Sequence, residues 1–112
     1  MIFIELIFDA APEARDEVIS LARRTTAPTR REEGCMLYRF TTDIELPNRF
    51  ILNELWESEE ALTSHLRTEA VKNFWEELPE GGGIVSSAAW EGPLVSYAAR
   101  PRAVAIEPPE RR

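Results

Sequence analysis

The sequence predicts an α+β domain, one antiparallel sheet of four strands in a split βαβ order with helices on one face. Three observations carry that expectation. Residues 2–8, IFIELIF, are dense in β-branched and aromatic side chains and apolar on both parities apart from Glu5, as in a strand covered on both faces in the middle of a sheet. Residues 50–57 alternate, with Phe50, Leu52, Glu54 and Trp56 on one parity and Ile51, Asn53, Leu55 and Glu57 on the other, which is the two-residue period of a strand. Ala14, Val18, Leu21 and Ala22 recur at helical spacing and mark a face to be buried.

The elements follow in order. After residues 2–8, Pro12 suits a first helical turn, and Glu13, Asp16 and Glu17 lie near the positive end of the helix dipole. This helix is expected to end near Arg24, because Pro28 obstructs continuation; residues 25–33 read as a kinked connection closing at Gly34. Residues 35–42 form a second strand, and Pro47-Asn48 marks the turn into the third. Ser58 is a natural cap for a helix over residues 59–66, and Thr68 for one over residues 69–78, stopped by Pro79 and three glycines. Residues 84–90 are ambiguous between loop and strand, and residues 94–99 read as the better final strand. The piece from residue 100 to 112, with three prolines, reads as a tail that cannot build a core of its own.

Strand, helix, strand, strand, helix pair and strand is the ferredoxin-like order. Its sheet has one face without helices, yet the first strand is apolar on both parities. Two such sheets packed face to face would cover it, so a homodimer is expected.

Composition narrows the function. The chain has 112 residues and a net charge of −7, so a nucleic-acid backbone or an anionic membrane surface would be repelled. One cysteine, Cys35, excludes an intrachain disulfide and a thiolate metal cluster, and burial as a small inert thiol is its expected state. The opening apolar run is too short for a signal-peptide core and contains Glu5. The cytoplasm is therefore the expected compartment.

Glu33-Gly34-Cys35 before a strand, Pro47-Asn48-Arg49-Phe50 at a turn, and Glu54-x-Trp56-Glu57-Ser58-x-x-Ala61-Leu62-x-x-His65-Leu66-x-Thr68 with Phe74 closing the helix resemble the antibiotic biosynthesis monooxygenase family. The resemblance covers residues 1–99 and is most specific over residues 33–74. It implies a dimeric α+β barrel and oxygenation of quinols or aromatic phenols without a cofactor, the electron-rich substrate anion itself reducing dioxygen. The expected partners are a small aromatic substrate, dioxygen and a second copy of the chain. Relatives of the quinol-oxidising type resemble Thr-Pro-His after the first helix of the pair, where this chain has Thr68-Glu69-Ala70. With one imidazole, no metal centre and no two-histidine relay is expected. The pattern of heme-degrading members also fails, since the first strand has no asparagine.

The candidate catalytic residues are His65, Asn53 and Glu54. His65 lies one helical turn beyond Ala61, and an imidazole titrates in the useful range for taking a phenolic proton; its alternative is a structural histidine bonded to a carboxylate. Asn53 is a candidate oxyanion donor if its face lines the cavity. Glu54, on an otherwise apolar strand face, either orients His65 or pairs with Arg39; Glu5 poses the same question. Tyr38, Trp56, Phe74 and Trp75 are the candidate walls of a flat aromatic pocket, with core packing as the alternative.

Overall fold

The computed structural model describes residues 1–93. Strands β1 (Ile2–Asp9), β2 (Cys35–Thr42), β3 (Arg49–Trp56) and β4 (Gly83–Glu91) form one sheet in the order β2-β3-β1-β4. Each neighbouring pair is antiparallel. A 3-10 turn at Pro12–Ala14 leads into α1 (Arg15–Arg30), and α2 (Glu59–Leu66) and α3 (Glu69–Glu77) join β3 to β4. This is the ferredoxin-like α+β arrangement.

Parity decides the core. In β3, Phe50, Leu52, Glu54 and Trp56 are all buried while Ile51, Asn53 and Leu55 between them are only partly so. Phe50, Leu52 and Trp56 pack with Leu6 and Phe8 of β1, Tyr38 of β2, Val18 and Leu21 of α1 and Phe74 of α3 in one cluster. The helices therefore cover one face. The other face carries Phe3, whose ring lies 5.5 Å from that of Trp90, and Trp90 stays 53% exposed.

One expectation about the elements is corrected and one ambiguity is resolved. The first helix does not stop near Arg24 but runs to Arg30, through Pro28 in its last stretch. Thr25 and Thr29 extend the buried stripe, their hydroxyls donating to the carbonyls of Leu21 and Thr25 at 2.9 and 2.8 Å. With its hydroxyl satisfied four residues back, each threonine buries its methyl like an apolar residue. The fourth strand is Gly83–Glu91, so the ambiguous stretch is a strand, with a bulge where Phe8 pairs with Ile84 and Ile7 with Ser86. The strand expected over residues 94–99 and the tail over residues 100–112 lie outside the described residues.

Both α2 and α3 begin on the caps expected. Ser58 Oγ accepts from the Ala61 N–H at 3.1 Å and Thr68 Oγ1 from the Val71 N–H at 3.4 Å. These caps fix where α2 starts and hence which residues face the sheet. One turn after Ala61, the inward face of α2 carries His65, which is 2% exposed.

Candidate active site

A cavity of about 250 Å³ opens between the sheet and the α2–α3 pair. Ile4, Leu6, Tyr38, Leu52, Val71 and Phe74 give it an apolar and aromatic lining, Glu54, His65 and Ser87 supply polar groups, and Leu66, Trp75 and Ile84 line it with side chains that are also exposed to solvent. A larger depression of about 580 Å³ between α1 and β2 is lined by Arg15, Arg23, Arg30, three threonines and apolar side chains and holds neither a carboxylate nor an imidazole. The groups suited to proton transfer are in the smaller cavity.

His65 is the centre of a buried polar network. Its Nδ1 is 3.1 Å from both carboxylate oxygens of Glu32, and its Nε2 is 3.6 Å from Glu54 Oε1. That same Glu54 oxygen accepts a hydrogen bond from the Trp56 indole at 2.8 Å. The Trp56 ring lies beneath the imidazole with centroids 4.5 Å apart and planes 31° from parallel, and Tyr38 meets the imidazole edgewise at 5.7 Å.

Electrostatics follow from this burial. Burial pushes the Glu54 carboxyl above its ordinary value of 4.5; Glu32 adds to the rise, while the Trp56 hydrogen bond and His65 oppose it. The Tyr38 phenol is driven far above its usual range, first by burial and then by Glu54 and Glu32, so it remains a neutral wall. Burial, then Glu32 and Glu54, also pushes up the Cys35 thiol, which leaves it a poor nucleophile.

The sequence-derived candidates divide into three groups. His65, Glu54, Tyr38, Phe74 and Trp75 all line the one cavity. Trp56 is 0% exposed and lies behind the imidazole, where it holds Glu54. Asn53 is on the opposite face of the sheet, its Nδ2 donating to Glu5 Oε2 at 3.4 Å, and β1–β3 register sets those two residues side by side. Glu54 therefore meets His65 and Trp56, whereas Arg39 belongs to the row of Asn53.

Glu32 completes the network, and the sequence does not single it out. It sits in the turn after α1, where no hydrophobic period marks a residue. Its one sequence signal is that it precedes Glu33-Gly34, and Gly34 takes φ 81° to close the turn. Among the described residues, no group of three or more His, Cys, Asp or Glu could hold a metal ion. No described helix is long and apolar enough to cross a membrane.

Comparison with known proteins places this chain in a family. An uncharacterized protein of Synechocystis, sll1783, is 33% identical over 69 residues, which are 62% of this chain and 47% of that protein, so the chain spans about half of that relative's length. YcnE of Bacillus subtilis, which carries a monooxygenase name, is 30% identical over 74 residues, 66% of this chain and 78% of its own. A crystal structure from Deinococcus radiodurans superposes with a TM-score of 0.74 at 23% identity, covering 86% of this chain and 96% of the other; at that identity it bears on the fold. The family model for antibiotic biosynthesis monooxygenase matches residues 1–77. The chain belongs to the antibiotic biosynthesis monooxygenase family.

Proposed function

We propose that this chain is a cofactor-independent monooxygenase that oxidises a small aromatic quinol or phenol with dioxygen, working as a homodimer. The observation that carries the reading is the meeting of an imidazole and a carboxyl, His65 and Glu54, in one aromatic-walled cavity. At about 250 Å³ the cavity suits a substituted single ring, since about 150 Å³ already accommodates benzene. Tyr38, Phe74 and Trp75 face the ring, and His65 takes the proton from its hydroxyl. The resulting anion is electron-rich enough to reduce dioxygen. A hydroquinone and dioxygen then give a hydroxyquinone and water, a balance that needs no outside reductant. Asn53 is left out of this chemistry because its amide lies on the far face. The single Cys35 thiol fits a reducing compartment such as the cytoplasm.

Oxygen uptake over a panel of hydroquinones tests the proposal. Saturable uptake is expected, and His65→Ala should reduce it by about 10²-fold, the low end for a general base. Uptake indifferent to that substitution would remove His65 from the mechanism. Turnover that persists under nitrogen would indicate an isomerase or lyase instead. One observation favours a second reading, an aromatic-binding dimer without turnover: among the described residues every buried side-chain nitrogen and oxygen already has a partner. Quenching of tryptophan emission by a quinol, without oxygen uptake, would establish that reading.

A further inference from the structure

Glu32 reaches the site from a turn whose backbone is held at several points. Its N–H donates to the Thr29 carbonyl at 3.0 Å, and its own carbonyl accepts from the Cys35 N–H at 3.2 Å. Two residues on, the Gly34 carbonyl accepts from the Glu57 N–H at 2.8 Å. A Cβ at Gly34 would stand 2.5 Å from the Ala61 Cβ, so the turn presses directly on the first turn of α2. His65 is one helical turn further along that helix. Glu32 and His65 are thus set against each other by the backbone, before their side chains meet.

The contact itself is two-pronged, with both carboxylate oxygens 3.1 Å from Nδ1. An ionised carboxylate offers acceptors only, so the nitrogen between its oxygens must carry the hydrogen. The rival acceptor on the other side of the ring, the Glu54 carboxyl, stands beyond hydrogen-bond length. The Trp56 indole N–H is committed to Glu54, Tyr38 presents an edge, and Glu54 Oε1 stands on the Nε2 side at 3.6 Å.

We infer that Glu32 is the positioning residue of this site, holding His65 in the Nδ1–H tautomer so that the Nε2 lone pair is turned to the cavity and Glu54. The inference rests on the proton-acceptor reading of His65, but the tautomer is a property of the resting protein. A carboxylate on the far nitrogen of a catalytic imidazole fixes its orientation and stabilises the imidazolium once Nε2 has taken a proton. Here the proton passes from the substrate hydroxyl to Nε2, Glu32 remains unprotonated, and the same proton is available for the water that leaves.

The test is a long-range ¹H–¹⁵N correlation spectrum of the labelled full chain without substrate, at about pH 8, above the ordinary imidazole range. Assignment is immediate because the chain has 1 histidine. The expected wild-type spectrum has a pyrrole-type Nδ1 and a pyridine-type Nε2. Glu32→Met, which keeps the length of the side chain without its oxygens, should move the population toward the Nε2–H form; Glu32→Asp should restore part of the wild-type pattern. Where a quinol is turned over, Glu32→Met should lower kcat by about 10- to 100-fold, as for groups that orient a ligand from behind, with KM little changed. A wild-type Nε2–H tautomer, or an unchanged tautomer in Glu32→Met, would overturn the inference. If Glu32→Met does not fold, the wild-type spectrum still decides. The expected tautomer in a protein that oxidises no quinol would support the assignment of Glu32 while ending the monooxygenase reading.

Discussion

Replacing Gly34 by alanine should damage both the fold and the site, for two separable reasons. Gly34 has φ 81°, and an L-residue in that left-handed region costs about 1–2 kcal/mol. The new Cβ would also lie 2.5 Å from Ala61 Cβ, against the roughly 3.5–4.0 Å of an ordinary carbon contact. Relieving that clash requires a shift of about 1 Å or more between the turn and α2, an overpacking cost of about 1–3 kcal/mol. The total is about 2–5 kcal/mol, a large part of the stability of a small domain. Ala61→Gly alone should cost about 1 kcal/mol, as glycine in a helix. In the double variant the clash is gone while the backbone terms remain, so urea denaturation should show a favourable coupling of about 1–3 kcal/mol. Strictly additive losses would refute the idea that the two residues are in steric register. The coupling should also appear at His65, because the shift that accommodates the added methyl group moves α2 away from Glu32.

Two further outcomes follow from the electrostatics and the surface. The Glu54 carboxyl is raised above 4.5 mainly by burial, so the native state binds its proton more tightly than the unfolded chain does. Its stabilising contribution is therefore full below 4.5 and lost as pH rises through the folded-state value. Urea midpoints of wild type relative to Glu54→Gln should fall over that window, and a constant difference from about pH 4 to about pH 8 would contradict the burial argument. Sedimentation at micromolar concentration should give twice the mass of the chain, while a compact monomer would remove the proposed pairing of sheets.

Most of the sheet was legible because strands advertise themselves by parity. The alternation in β3 separates Glu54 from Asn53 on sequence alone, and the caps Ser58 and Thr68 mark where α2 and α3 begin. The second half of α1 was hidden because its buried positions are Thr25 and Thr29, polar letters whose hydroxyls are satisfied within the helix. β4 was ambiguous for a related reason: all its residues are exposed, so no buried face imposes a pattern. In the site, His65 could be placed by its spacing from Ala61. Glu32 could not, since a turn residue is aimed by backbone hydrogen bonds and the φ of a neighbouring glycine rather than by any period.

The two borders of the sheet are unlike. Along β2, the Arg30 guanidinium donates through Nε to the Tyr38 carbonyl at 3.0 Å, and charged Arg39 stands exposed on the same strand. Such groups discourage another strand from docking. β4, with the sequence GIVSSAAWE, has no lysine, arginine or proline within it, and among the described residues nothing pairs with its outer side. A chain receptive at both borders would add copies without end and grow into a ribbon. Strand pairing through one border alone closes on itself after a single partner, so a β4-to-β4 contact between copies would stop at two.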